Sequence, residues 1–174
     1  MSRKGLLTFL AIVALAITGP VAAASACVGE AKSPRKLSEQ LARQAILCLI
    51  NQRRAHAGLG ALQENANLNS SAQEHTLAMA KHNHYSHGNA AGRIRHAGYL
   101  AGATVWSIGE NLAWGPGRLG SPKRVVASWM KSAEHRRVLL GGFRDIGIGM
   151  TKGAPFPHFG HNTATYTADL GTRN

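Results

Sequence analysis

Acidic residues are scarce in this sequence. Its 174 residues include eight Asp and Glu against 20 Lys and Arg, a formal net charge of +12 at neutral pH with histidines uncharged. The basic residues are scattered, and no stacking platform of aromatic residues lies between them. Nucleic-acid binding is therefore disfavoured. A charge of this sign favours anionic partners, which outside a cell are envelope polymers and lipid head groups.

Familiar catalytic motifs are missing as well. The chain has no H-E-x-x-H metalloprotease helix, no G-x-S-x-G nucleophile elbow and no P-loop. With two cysteines in the chain, a cysteine nucleophile is disfavoured if the two pair with each other. Any enzymatic activity would therefore have to come from a site without a recognisable nucleophile motif.

Long apolar runs are confined to the N-terminus. Positive charge in Met1–Lys4 precedes an apolar run over Leu6–Ile17, and the small-residue pattern Ala24-Ser25-Ala26 follows. This order is typical of a secretory signal peptide, and the run is shorter than the ~20 residues that span a bilayer. We expect residues 1–26 to be removed on export. The remaining 148 residues carry 18 basic and eight acidic side chains, a net charge of +10.

The mature chain has the size of one ordinary domain. We expect a lead-in over residues 27–36 and a single domain over residues 37–174, acting as a monomer outside the cytoplasm. Cys27 and Cys48 are most simply a disulfide in an oxidising compartment. The alternative is that Cys27 is the lipidated first residue of a lipoprotein, although Ala24 stands where a lipobox prefers Leu.

Hydrophobic spacing predicts the main elements. Steps of three and four residues indicate a helix from Leu37 that ends at Gly58, and a second helix over residues 67–81. Ser121 and Pro122 suit the N-cap and first turn of a third helix. Period-two alternation indicates strands over residues 146–150 and 164–169, and the glycines of the first strand invite close packing on one face. The glycine-rich residues 99–118 are expected to form a long loop, and residues 92–95 a short helical piece.

Few side chains are placed to carry chemistry. Glu110 is an isolated acid in an otherwise uncharged, glycine-rich stretch, and no basic residue lies within ten positions before it. If this carboxylate is partly buried it needs charge-assisted partners, and imidazoles from elsewhere are plausible ones. His87 and His135 are the candidates, and with Glu110 they would suit Zn²⁺ or another divalent metal. His75 lies on the apolar face of the second helix, so we interpret it as a hydrogen-bonded core residue.

Several short stretches, taken in order, resemble the CAP superfamily, also called the SCP-like extracellular domain. The similar stretches are Cys48–Arg53 with Gly58-Leu59, His75 with Met79 and Tyr85–His87, Gly109–Ala113, Trp129–Arg136, Ile146–Gly149 and Thr165–Thr167. Each is weak alone, but as an ordered set they cover nearly all of residues 40–171. The chain is most similar to the compact bacterial secreted branch.

The resemblance implies an α+β fold, a three-layer α-β-α sandwich with a central antiparallel sheet. It also implies a cleft that contains His87, Glu110 and His135, in which some relatives bind a divalent metal. Two departures stand out: Ser132 occupies the position of a second cleft glutamate, and Glu134 lies beside His135 as a substitute acid. The resulting hypothesis is a secreted binding or interaction module of the cell envelope or exterior. The alternative is a metal-dependent hydrolase that uses the same cleft.

Overall fold

The computed structural model describes residues 26–160 and 162–174. The expected signal peptide therefore lies almost entirely outside the described residues. Along the chain the helices and strands are α1 (Glu39–His56), β1 (Gln63–Glu64), α2 (Ala66–His82), α3 (Ala90–His96), β2 (Trp106–Pro116), α4 (Pro122–Lys131), α5 (Ala133–Leu139), β3 (Asp145–Lys152) and β4 (Thr163–Arg173). In this part of the chain, no helix combines the length and apolarity needed to cross a bilayer.

The strands form one four-stranded sheet in the order β1-β3-β4-β2. Strand β4 lies at its centre and pairs antiparallel with β2 over residues 106–116 and with β3 over residues 145–152. The two-residue strand β1 pairs parallel with the start of β3. The predicted α+β class is confirmed, and the sheet is antiparallel except for this short parallel edge.

Helices cover both faces of the sheet, which gives the predicted three layers. On one face α1 and α4 enclose the larger core, in which Ile46, Trp129 and Tyr166 are fully buried. The indole Nε1 of Trp129 donates a hydrogen bond of 2.8 Å to the carbonyl of Leu112, so α4 is fixed to the edge strand β2. Helix α2 packs on the other face against β3 and β4.

The glycines of β3 allow α2 to approach the sheet closely. A Cβ added at Gly147 would lie 2.0 Å from the carbonyl carbon of Leu68, and one at Gly149 would lie 2.3 Å from the carbonyl oxygen of Ala72. Real side chains do not reach such distances, so any larger residue would push the helix away. The expectation of close packing on this bare face is confirmed.

The expectation of a long loop over residues 99–118 is wrong. Eleven of these residues form β2, which pairs with β4 along its whole length. The two glycines of the strand and the buried polar Asn111 obscure its alternating pattern in the sequence. Glu110 therefore lies on a rigid strand opposite Asp169 rather than in a flexible segment.

The predicted disulfide is confirmed between Cys27 and Cys48, whose Cα atoms are 5.8 Å apart. It ties the start of the described chain to the middle of α1.

The helix starts are also close to expectation, with one difference in the capping. Ser38 accepts from the amide of Leu41 at the start of α1, whereas the hydroxyl of Ser121 donates to the carbonyl of Arg118 and does not cap α4.

Candidate functional site

Glu110 is the centre of a polar network at the middle of β2. Its side chain is 4% exposed, although the residue lies on an edge strand. Oε1 lies 2.7 Å from Nδ1 of His87, and Oε2 forms an ion pair with the guanidinium of Arg93. Both carboxylate oxygens are therefore engaged by nitrogen donors of the protein itself. The structure brings together two of the three residues named from the sequence.

Arg93 is the partner that sequence reasoning missed. It lies on the short helix α3, 17 residues before Glu110, and its second terminal nitrogen donates to the carbonyl of His87 at 2.8 Å. One guanidinium thus fixes both the carboxylate and the backbone of the histidine that binds it. The available signal was a basic residue on the helical piece predicted over residues 92–95, but it lies 17 positions before Glu110, beyond the range of a local pattern.

Asp169 lies behind Glu110 in the interior. It is fully buried, opposite Glu110 in the β2–β4 register, and Oδ2 accepts from the hydroxyl of Ser71 at 2.7 Å. Burial, and next the charge of Glu110, raise the pKa of Asp169 to about 8. An ionised Asp169 would leave Oδ1 without a donor, whereas the protonated acid can donate to Glu110. A proton on Asp169 reduces the repulsion between these two adjacent carboxyl groups.

His135 lies near this network without a direct hydrogen bond to Glu110 in the described structure. Its backbone carbonyl accepts from the amide of Asn111, the residue after Glu110 on β2, at 3.0 Å. Burial, and next the charge of His87, lower the pKa of His135. The ring is therefore neutral around pH 7, and the two imidazoles are close enough to influence each other. We call His87, Arg93, Glu110 and His135 the Glu110 cleft.

Three neighbouring residues were assigned other roles from the sequence. His75 is buried, and its Nε2 lies 2.9 Å from the carbonyl oxygen of Ser86, so it is the hydrogen-bonded core histidine that was predicted. Glu134 is exposed, and its charge acts on the pKa of His135 in the upward direction. Ser132 accepts from the backbone amide of His135, so it caps α5.

The arrangement fits a divalent metal poorly. Within residues 26–160 and 162–174, no group of three His, Cys, Asp or Glu side chains is arranged to hold an ion. The place beside Oε2 of Glu110, where a cation would bind, is taken by the positive guanidinium of Arg93. What favours a metal is that Nε2 of His87 and the neutral ring of His135 are both available as ligands. The metal role of these residues stays a prediction.

His135 also lines a cavity of about 480 Å³ between β2 and α4. Leu112 and Trp129 contribute apolar walls, and Tyr85 and His135 contribute polar groups. A cavity of this size could accommodate a small ligand or a short segment of a polymer. Burial raises the pKa of Tyr85 to about 12, so its hydroxyl stays protonated and can donate a hydrogen bond.

The three-layer sandwich, with His87 paired to the buried Glu110, is what the resemblance to an SCP-like domain implied. The chain belongs to the CAP (cysteine-rich secretory protein) family, whose model matches residues 47–163. This range falls inside the domain expected over residues 37–174. No curated protein sequence matches the chain significantly.

Solved structures support the same fold. An extracellular protein containing a SCP domain from Bacillus anthracis is 23% identical, with a TM-score of 0.60 over 76% of this chain and 40% of that one. An outer surface protein from Borrelia burgdorferi is 21% identical, with a TM-score of 0.60 over 74% and 90%. A cysteine-rich secretory protein from Staphylococcus aureus is 17% identical, with a TM-score of 0.56 over 78% and 40%. The chain thus spans about two fifths of the first and third proteins.

Proposed function

We propose that this chain is an exported CAP-domain protein of the cell envelope or exterior, and that its Glu110 cleft binds a polar ligand without chemical turnover. The charged, apolar and small-residue order of residues 1–26 supports export. The Cys27–Cys48 disulfide supports an oxidising compartment. The description of two similar structures as extracellular or outer-surface proteins agrees with this location.

The observation that carries the proposal is the complete pairing of Glu110. A general base needs a carboxylate oxygen that faces the substrate or a water molecule. Here one oxygen accepts from His87 and the other from Arg93, and Asp169 can donate to the same group from behind. The carboxylate is therefore better suited to orienting His87 and Arg93 than to moving protons.

The groups that remain available are suited to recognition. Nδ1 of His87 points to Glu110, so Nε2 is directed away from that bond, and the ring is 59% exposed. His135 and Tyr85 line the 480 Å³ cavity, where the imidazole and the hydroxyl group offer further donors and acceptors. A few polar groups placed around apolar walls are typical of ligand sites.

The test is a search for turnover in the mature protein, residues 27–174, with peptide, ester and peptidoglycan substrates. We expect no product above a heat-denatured control, with or without added zinc. Turnover that disappears in a Glu110→Gln variant with a wild-type fold would contradict the proposal. Gln is the matched replacement because it keeps the size of the side chain and removes its charge.

The second candidate is a metal-dependent hydrolase, favoured by the two available imidazoles. It requires a divalent ion at His87, Glu110 and His135, with displacement of Arg93 from the carboxylate. Zinc titration by calorimetry of the wild type, of His135→Ala and of an exposed control, His56→Ala, tests it. Saturable binding that is lost in His135→Ala alone would support the hydrolase. Equal heats of zinc titration for the three proteins would rule out the metal-dependent hydrolase.

A further inference from the structure

A cluster of exposed aromatic rings lies at one end of the sheet, beyond the cavity. The loop between β3 and β4 carries Phe156 and Phe159, which are 38% and 47% exposed. Both rings pack against Trp114 near the end of β2, with centroid distances of 5.3 Å and 4.7 Å. Tyr85 contacts Phe156 at 6.0 Å. Contacts with Trp114 and Tyr85 therefore fix the phenyl rings in place, while part of each ring still faces solvent.

Further apolar side chains extend this patch. Leu77 on α2 is 46% exposed and lines a surface cavity of about 440 Å³ together with both phenylalanines. Leu119, just before α4, is 63% exposed and lines the 480 Å³ cavity that contains Trp114. We call Leu77, Trp114, Leu119, Phe156 and Phe159 the aromatic end. Exposed apolar groups that are contiguous, unlike scattered single ones, mark an interaction surface.

Positive charge surrounds the aromatic end. Lys81 and Lys152 line the cavity at the loop, and Arg124 and Lys131 line the cavity beside Trp114. Among the described residues that line these two cavities, none is Asp or Glu. Acidic residues are also absent from the surrounding sequence, since residues 111–133 and 146–168 contain no Asp or Glu. Basic side chains here have no nearby carboxylate in the cavity linings to neutralise them.

We propose that the aromatic end docks on the surface of a lipid bilayer that contains anionic lipids. A bilayer interface accepts phenyl and leucyl side chains at the depth of the head groups and attracts lysine and arginine to its charge. A soluble polyanion would satisfy the basic residues but would leave Phe156 and Phe159 in water. An uncharged apolar partner would satisfy the rings but would not account for the absence of acids.

The test is co-sedimentation of the mature protein with vesicles of equal parts phosphatidylglycerol and phosphatidylcholine, and with pure phosphatidylcholine vesicles. We expect binding to the anionic vesicles that weakens as salt is added. The double variant Phe156→Ser/Phe159→Ser should bind at least about tenfold more weakly, because burial of a phenyl group in an apolar medium contributes a factor of this size. Lys152→Glu should weaken binding by about tenfold, since it exchanges an attractive charge for a repulsive one.

Matched controls come from the other end of the sheet. Val105→Ser removes an apolar side chain that is 65% exposed just before β2, and Arg95→Glu reverses an exposed charge that lies over Trp106 at the start of β2. Both should bind the anionic vesicles like the wild type. The proposal is overturned if the protein does not sediment with anionic vesicles, or if it binds neutral vesicles equally. It is also overturned if soluble polyphosphate binds equally well to the wild type and the double phenylalanine variant while vesicles do not bind. None of these outcomes bears on turnover in the cleft, so the two proposals fail separately.

Discussion

At the scale of single residues, the stability of this domain depends on how one buried negative charge is balanced. Glu110 and Asp169 are adjacent across two strands, and neither has room for a shell of water. Arg93 and His87 supply donors to Glu110, and Ser71 supplies one to Asp169. Removing one partner of such a network leaves a buried group uncompensated, which costs more than the pairing contributes.

Arg93→Ala is expected to lower the free energy of unfolding by about 3 kcal/mol, since it leaves Glu110 buried with one donor fewer. Urea denaturation at pH 7 measures the change. Arg95→Ala is the matched control on the same helix, because Arg95 is exposed and only stacks on Trp106 at 5.8 Å. The Arg95→Ala variant should lower the free energy of unfolding by less than about 1 kcal/mol. Equal losses in the two variants would contradict the assigned role of Arg93.

Asp169→Asn is expected to change how stability depends on pH. The raised pKa means that folded Asp169 keeps a proton that the unfolded chain releases above its ordinary value of 3.8. The folded state then binds more protons between about pH 4 and 8, so the contribution of Asp169 to stability falls as pH rises through this window. The amide mimics the protonated acid and does not titrate.

The variant should therefore gain stability relative to the wild type as pH rises from 4.5 to 8, as measured by urea midpoints at several pH values. The other titrating groups contribute equally to the stability of both proteins, so their contributions cancel when the two stabilities are subtracted. A difference that does not vary with pH would show that Asp169 is ionised in the folded protein.

At the scale of elements, the packing of α2 on the sheet determines the position of Asp169 and of its hydroxyl donor. Ser71 lies on α2, and Thr76 on the same helix donates to Thr167 on β4 at 2.8 Å. These buried bonds require the close approach that Gly147 and Gly149 permit. The glycines of β3 thus bring α2 close enough for its hydroxyl groups to bond with Asp169 and Thr167 on β4.

Gly147→Ala is expected to destabilise the domain by more than about 3 kcal/mol or to prevent folding, because the added methyl group meets the backbone of α2 rather than a movable side chain. Gly142→Ala is the matched control, since a Cβ there has no atom within 4 Å. Thermal unfolding of both variants gives the comparison. A Gly147→Ala protein as stable as the control would mean that α2 lies farther from β3 than described.

Elements with local signals were predictable from the sequence, whereas contacts between distant segments were not. Helical spacing and Ser38 placed α1, and alternation placed β3, because these signals come from neighbouring residues. Strand β2 was missed although Ile108, Glu110, Leu112 and Trp114 do alternate, since glycine content is also typical of loops. The pairing of Arg93 with Glu110 was missed because it depends on how α3 meets β2, which no local pattern encodes.

At the scale of the whole molecule, a disulfide joins the start of the described residues to helix α1. The bridge closes 21 residues of sequence between Cys27 and α1. Reduction with dithiothreitol is expected to lower the free energy of unfolding by about 3 kcal/mol, because the unfolded chain regains the entropy of that loop. Urea denaturation with and without reductant measures it, and intact mass confirms the two thiols. An unchanged midpoint after complete reduction would contradict this.

We propose for the whole domain that the Glu110 cleft binds its ligand without turnover, and one experiment tests this most directly. An NMR titration of the isotope-labelled mature protein with soluble peptidoglycan fragments observes protein and ligand at once. We expect saturable shifts of the imidazole signals of His87 and His135 while the ligand spectrum shows no new species. Appearance of cleaved fragments with the wild type, absent with Glu110→Gln, would contradict the account and assign the cleft to a hydrolase.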